Sequence, residues 1–125
     1  MAYEYLIVPD EGEQFNTASI ERRARSLPHT LRCRVRGREF YAVTGDEKNL
    51  EFVRRLIATE SGAAADLAGT ITVEKERVIV ANPNYTDAIA QTLRTFCAWM
   101  LSQFKCHLED EFGERVTLED AFGSE

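Results

Sequence analysis

Histidine, cysteine and the short motifs of catalysis are scarce in this chain, and each scarcity removes a class of chemistry. Its 125 residues include two histidines, His29 and His107. General acid–base catalysis near neutral pH draws most often on histidine. Here His29 follows Pro28 in a helix-to-strand turn, and His107 stands beside Glu109 and Asp110, so each reads as an ordinary surface residue. The three cysteines, Cys33, Cys97 and Cys106, are odd in number and lack metal-site spacing. They predict free thiols in a reducing cytoplasm. No Gly-rich phosphate loop, nucleophile elbow or metalloprotease helix is present. The acids at Asp10–Glu13 and Glu109–Glu111 lack the spacing and glycine of a calcium loop. The sequence therefore implies no cofactor and no metal, and it gives an enzyme reading no support.

Long hydrophobic runs are also missing. None approaches the roughly 18 residues that a membrane helix needs, so no membrane association is expected. The N-terminus has no basic region, and Pro9-Asp10-Glu11 cuts its apolar stretch short, which argues against a signal peptide. A net charge of −6 argues against indiscriminate binding to DNA or anionic lipid.

What is present is a pattern of secondary structure suited to one domain over residues 1–125. Ala2 to Val8 reads as a strand, and Thr17 to Ser26 as a short helix capped by Asn16 or Thr17 and stopped by Pro28. Strands at Leu31–Arg36 and Glu39–Thr44 meet at Gly37-Arg38, a two-residue hairpin turn. A second helix spans Glu47 to Glu60, with Leu50, Val53, Leu56 and Ile57 at helical spacing and Gly62 as its stop. Ala63 to Ala68 fits either one more helical turn or a loop. A second hairpin pairs Thr70–Glu74 with Arg77–Asn82, and the longest helix is expected from Thr86 to Glu111. The order β-αββ-αββ-α predicts an α+β fold: a mostly antiparallel sheet, helices packed on one face, and a long C-terminal helix.

Onto this frame falls an unusual distribution of charge. Seven arginines, Arg22, Arg23, Arg25, Arg32, Arg34, Arg36 and Arg38, occupy a stretch with no acidic residue, while the rest of the chain holds 8 basic and 21 acidic groups. Arg32, Arg34 and Arg36 alternate with Leu31, Cys33 and Val35, which predicts a row of guanidinium groups on the open sheet face and apolar groups on the covered one. Such a row could meet an acidic protein surface. It could instead track phosphates, with Tyr41 stacking on bases. The simplest alternative is a solvated face whose arginines pair with Glu39, Glu74 or Glu76. Residues 109 to 125 hold seven acids against Arg115 alone, and this tail could fold back onto the arginines or reach those of a second copy.

The predicted long helix buries Ile89, Leu93, Phe96, Cys97, Met100, Leu101, Phe104 and Leu108 on one face. A second stripe of small residues, Ala88, Thr92, Thr95, Ser102 and Cys106, is broken by Trp99. Either another helix lies along it, or Thr95, Trp99 and Cys106 belong to a homodimer seam with Trp99 as hot spot.

Three functional expectations follow. The leading one is a non-enzymatic interaction protein that binds an acidic protein surface, its own included, through Arg32, Arg34, Arg36 and Arg38. The second is a nucleic-acid module using the same arginines with Tyr41. The third is a small-molecule binder or enzyme with a pocket between sheet and long helix, where Tyr3, Tyr5, His29 and Tyr85 would be the polar groups.

Overall fold

The computed structural model describes residues 3–59, 68–82 and 87–123. Strand β1 (Tyr3–Pro9) is followed by helix α1 (Thr17–Arg25), the hairpin β2 (Thr30–Val35) and β3 (Arg38–Val43), and helix α2 (Glu47–Ala58). A second hairpin of β4 (Gly69–Val73) and β5 (Val78–Asn82) leads to α3 (Asp87–Gln103). The chain ends in β6 (Cys106–Glu109), the short β7 (Arg115–Val116) and a single turn of helix, α4 (Leu118–Phe122). All strands join one antiparallel sheet in the order β2-β3-β4-β5-β1-β6-β7. The fold is therefore α+β, as the sequence implied. No described helix is long and apolar enough to cross a membrane.

Local signals account for the starts of α1, α2 and α4. Asn16 caps α1 by accepting from the Ser19 N–H, and Asp46 caps α2 by accepting from the Asn49 N–H. Thr117 and Asp120 exchange side-chain and backbone bonds in a capping box that fixes α4.

The longest helix ends earlier than its apolar stripe predicts, and it is not C-terminal. It stops at Gln103, and residues 106–109 form a strand instead. Leu108 continues the helical stripe one turn beyond Phe104, so periodicity could not separate the two outcomes. The free edge of β1 decides between them. Its backbone donors and acceptors need partners, and β6 supplies them by pairing Ile7 with Leu108 and Pro9 with Cys106. Leu108 still reaches the core, now from a strand.

The helices also do not share one face. Tyr41 and Val43 of β3 point into the main core, with Ile20, Ala24, Leu93, Phe96 and Met100 of α1 and α3. Ala42 lies between them and points the opposite way, into a smaller cluster with Cys33 and Val53 of α2. The base of the β2–β3 hairpin carries apolar side chains on both faces, and each face has its own helix. On the main-core side α3 runs so close to β4 that a Cβ on Gly69 would meet Ile89 Cγ2 at 2.6 Å.

Candidate functional site

The β2–β3 hairpin carries the arginines, but not as a single row. Strand β2 ends at Val35, and the two-residue turn is Arg36-Gly37, with φ of 53° and 79°. Two positive φ values make this the mirror-image turn that matches strand twist, in which Asn or Gly is preferred at the first position. Arg36 therefore leaves the strand and stands at the tip. Register divides the others. Arg34 lies opposite Glu39 and Arg32 opposite Tyr41, on the α1 side, while Arg38 lies opposite Val35, on the α2 side. The hairpin is thus a finger with arginine on both faces and at its end.

Tyr41 is not on an open surface. It is 3% exposed beneath α1, and its hydroxyl donates to Glu21 at 3.3 Å. Burial and the Glu21 charge both raise its phenol above the ordinary value. Its ring offers no platform for a base, because α1 covers this face.

Few acids meet the finger. Arg32 pairs with Glu39 at 3.3 Å. Glu74, an expected partner, is held by Arg77 at 2.9 Å. Among the described residues, Arg34, Arg36 and Arg38 make no ion pair, and all three are exposed. The acidic C-terminal segment does not fold back onto them. It builds β6, β7 and α4 at the other edge of the sheet. Six interstrand steps of about 4.8 Å separate the two edges, about 29 Å in all. Residues 21–59 hold ten basic against five acidic side chains, and the remainder hold five against sixteen.

The residues of the expected seam are split. Trp99 packs edge-on to Phe104 and beside Phe96, and the Arg23 guanidinium lies 5.5 Å from the Trp99 ring centroid. Cys106 is on β6, away from the helical stripe, because the helix has already ended. Thr95 stays exposed and borders a shallow cleft between α1 and α3 with Leu27, Pro28 and Thr92. An adjoining cleft of about 350 Å³ is lined by Ser19, Arg22, Arg23, Ser26 and Trp99. Both open outward between helices. The space between α3 and the sheet is occupied by core side chains. Of the polar groups expected for a pocket there, Tyr5 packs against Phe122 and His29 lies 3.6 Å from Glu47. Tyr85 and the Tyr3 side chain lie outside the described residues, as do 60–67, which hold the expected helix stop at Gly62 and all but Ala68 of the stretch expected as a helical turn or a loop.

One polar cluster escaped sequence reasoning. His107 Nδ1 lies 3.0 Å from Asp10 Oδ1, and Nε2 lies 2.6 Å from Glu109 Oε2. The ring thus bridges the turn after β1 and strand β6 as a polar latch. Asp10 is 97 residues away in sequence, and no local signal could pair them. Among the described residues no three His, Cys, Asp or Glu side chains could hold a metal ion. The thiols are poor nucleophiles at neutral pH. Burial pushes Cys33 up to about 11, and burial together with the Asp10 charge does the same to Cys106. Cys97 is fully enclosed and its thiol is pushed higher still.

Neither family models, nor curated proteins, nor solved structures match this chain. Its functional reading rests on its own geometry.

Proposed function

We propose that this protein is a non-enzymatic interaction module whose arginine finger, with Arg34, Arg36 and Arg38 around Arg32, recognises an acidic protein surface. One observation carries the reading: three exposed arginines without ion pairs surround one hairpin tip, and Arg36 holds a backbone conformation that favours Asn or Gly. A non-glycine residue in the left-handed region costs about 1–2 kcal/mol, a cost with no compensating contact in the fold. Strain of this kind clusters at binding sites.

Acidic protein suits the surface better than nucleic acid does. Phosphate tracking favours a row of cations along one face and a stacking platform. The finger points its arginines in three directions, its strand row is reduced to Arg32 and Arg34, and Tyr41 is buried. Arginine at an exposed tip suits carboxylates approaching from several sides, each as a bidentate partner.

The test is fluorescence anisotropy of a fluorescein-labelled oligoglutamate peptide at low salt, with a labelled single-stranded oligonucleotide as competitor. The reading expects peptide binding that weakens as salt rises and is lost in Arg34→Glu/Arg38→Glu. Preferential binding of the oligonucleotide would move the surface to the nucleic-acid class.

A further inference from the structure

The acidic edge of the sheet ends in a feature that its own fold does not use. Between β6 and β7, residues 110–114 form a tight turn built on Asp110. Its Oδ1 accepts from the Phe112 and Glu114 N–H groups at 2.9 and 3.0 Å, and its backbone N–H donates to Glu114 O at 2.8 Å. The turn is pre-organised, and it holds Phe112 outward at 83% exposure, between the exposed Glu111 and Glu114. A rigid aromatic flanked by carboxylates has the form of an interface anchor with a charged rim.

The complementary shape lies on the same molecule. The open groove of about 350 Å³ between α1 and α3 sets Trp99 beside Arg22 and Arg23, with Ser19 and Ser26 at its sides. Arg23 Nε is buried there and has no hydrogen-bond partner. The groove offers arginine and an aromatic edge, with the Arg23 guanidinium 5.5 Å from the Trp99 ring centroid, and the turn presents carboxylates and an aromatic ring.

The turn and the cleft of one chain lie toward opposite ends of β6. The turn follows Glu109, which pairs with Leu6, whereas Trp99 packs on Phe104 near Cys106, which pairs with Pro9. The length of β6, about 13 Å at strand rise, lies between them.

We infer that the cleft receives the 110–114 turn of a second copy of this chain, with Phe112 entering beside Trp99 and Glu111 and Glu114 meeting Arg22 and Arg23. This goes beyond the acidic-surface reading of the hairpin, since it uses the arginines of α1 instead, and it names one partner and where it seats. Anchor and cleft are different patches, so the contact closes as a two-fold reciprocal pair or, where it is not reciprocated, is heterologous and builds rings or chains.

Sedimentation equilibrium at low salt tests it with three samples. Wild type is expected to show an average mass that rises above 14.2 kDa with concentration and falls back as salt is added. Phe112→Ser and Arg22→Glu, both at exposed positions, are each expected to weaken association at least tenfold. Mixed together they should form a one-to-one complex, since the first retains an intact cleft and the second an intact turn. A wild type monomeric at every concentration, an unchanged Phe112→Ser, or a mixture that stays monomeric would each overturn the inference. The oligoglutamate assay is read on the same samples. Peptide binding by a strictly monomeric chain sinks the self-contact and leaves the finger standing, whereas self-association without peptide binding sinks the finger reading instead.

Discussion

The two edges of the sheet differ in charge, and they differ equally in how they are anchored. At the basic edge, β2 and β3 are held from one side by a small cluster of Cys33, Ala42, Val53 and Ala68 under α2, and from the other by Tyr41 and Val43. At the acidic edge, β6 is fastened by Leu108 in the main core, by the His107 latch to Asp10, and by Phe122 of α4 against Tyr5. The β2–β3 hairpin therefore projects a charged finger from a modest footing, while the acidic hairpin projects a rigid turn from a strong one. Separation of charge across a sheet contributes little to folding, since exposed ion pairs are worth about 0–1 kcal/mol each. It leaves a basic and an acidic edge about 29 Å apart on one sheet.

Mutations can break this contrast, beginning with the anchors. Leu108→Ala should cost about 2–5 kcal/mol, read by urea denaturation. Val53→Ala, in the smaller cluster, should cost about 1–3 kcal/mol. Equal losses would mean that the two edges are held alike. A smaller effect comes from the finger's turn. Arg36→Asn should stabilise the fold by up to about 1 kcal/mol, because Asn tolerates the left-handed conformation better. The same change should weaken oligoglutamate binding several-fold, so that stability and binding move in opposite directions.

The last effect appears only at alkaline pH. Cys33 at the basic edge and Cys106 at the acidic edge both hold their protons to about pH 11, against an ordinary thiol value of 9.0. Between these values the folded chain binds more protons than the unfolded one. The stability these thiols contribute is thus complete below about pH 9 and is lost as pH rises through about 11. Thermal melts of wild type and Cys33→Ala/Cys106→Ala should diverge in slope only above about pH 9. A difference in slope between pH 6 and 8 would contradict the assignment.

Much of the fold was legible because its signals are local. Asn16 and Asp46 mark helix starts, Pro28 marks a stop, and alternation in Leu31–Val35 marks a strand. The errors share one physical origin: decisions made by distant partners. Leu108 satisfies a helical and a strand pattern equally, and only the unfilled edge of β1 chooses between them. The placement of α2 on the second sheet face depends on Ala42 and Phe40 being read as apolar against Cys33, across the hairpin. At the candidate site, composition revealed the arginines, but a shift of one residue in the turn moved Arg36 from strand to tip and put Arg38 on the other face. Phe112 drew no notice in the sequence, since a single aromatic in an acidic loop has no period. Its exposure became visible only with the turn around Asp110.

The central claim is that the arginine end of the sheet is a surface for carboxylates. Anisotropy of labelled oligoglutamate, titrated with wild type and with Arg34→Glu/Arg38→Glu at low salt, tests it most directly. The account predicts saturable binding to wild type that fades with added salt, and at least a tenfold loss in the double variant, with both proteins equally folded by circular dichroism. Equal affinity for the two proteins, or no binding to wild type at low salt, would contradict it.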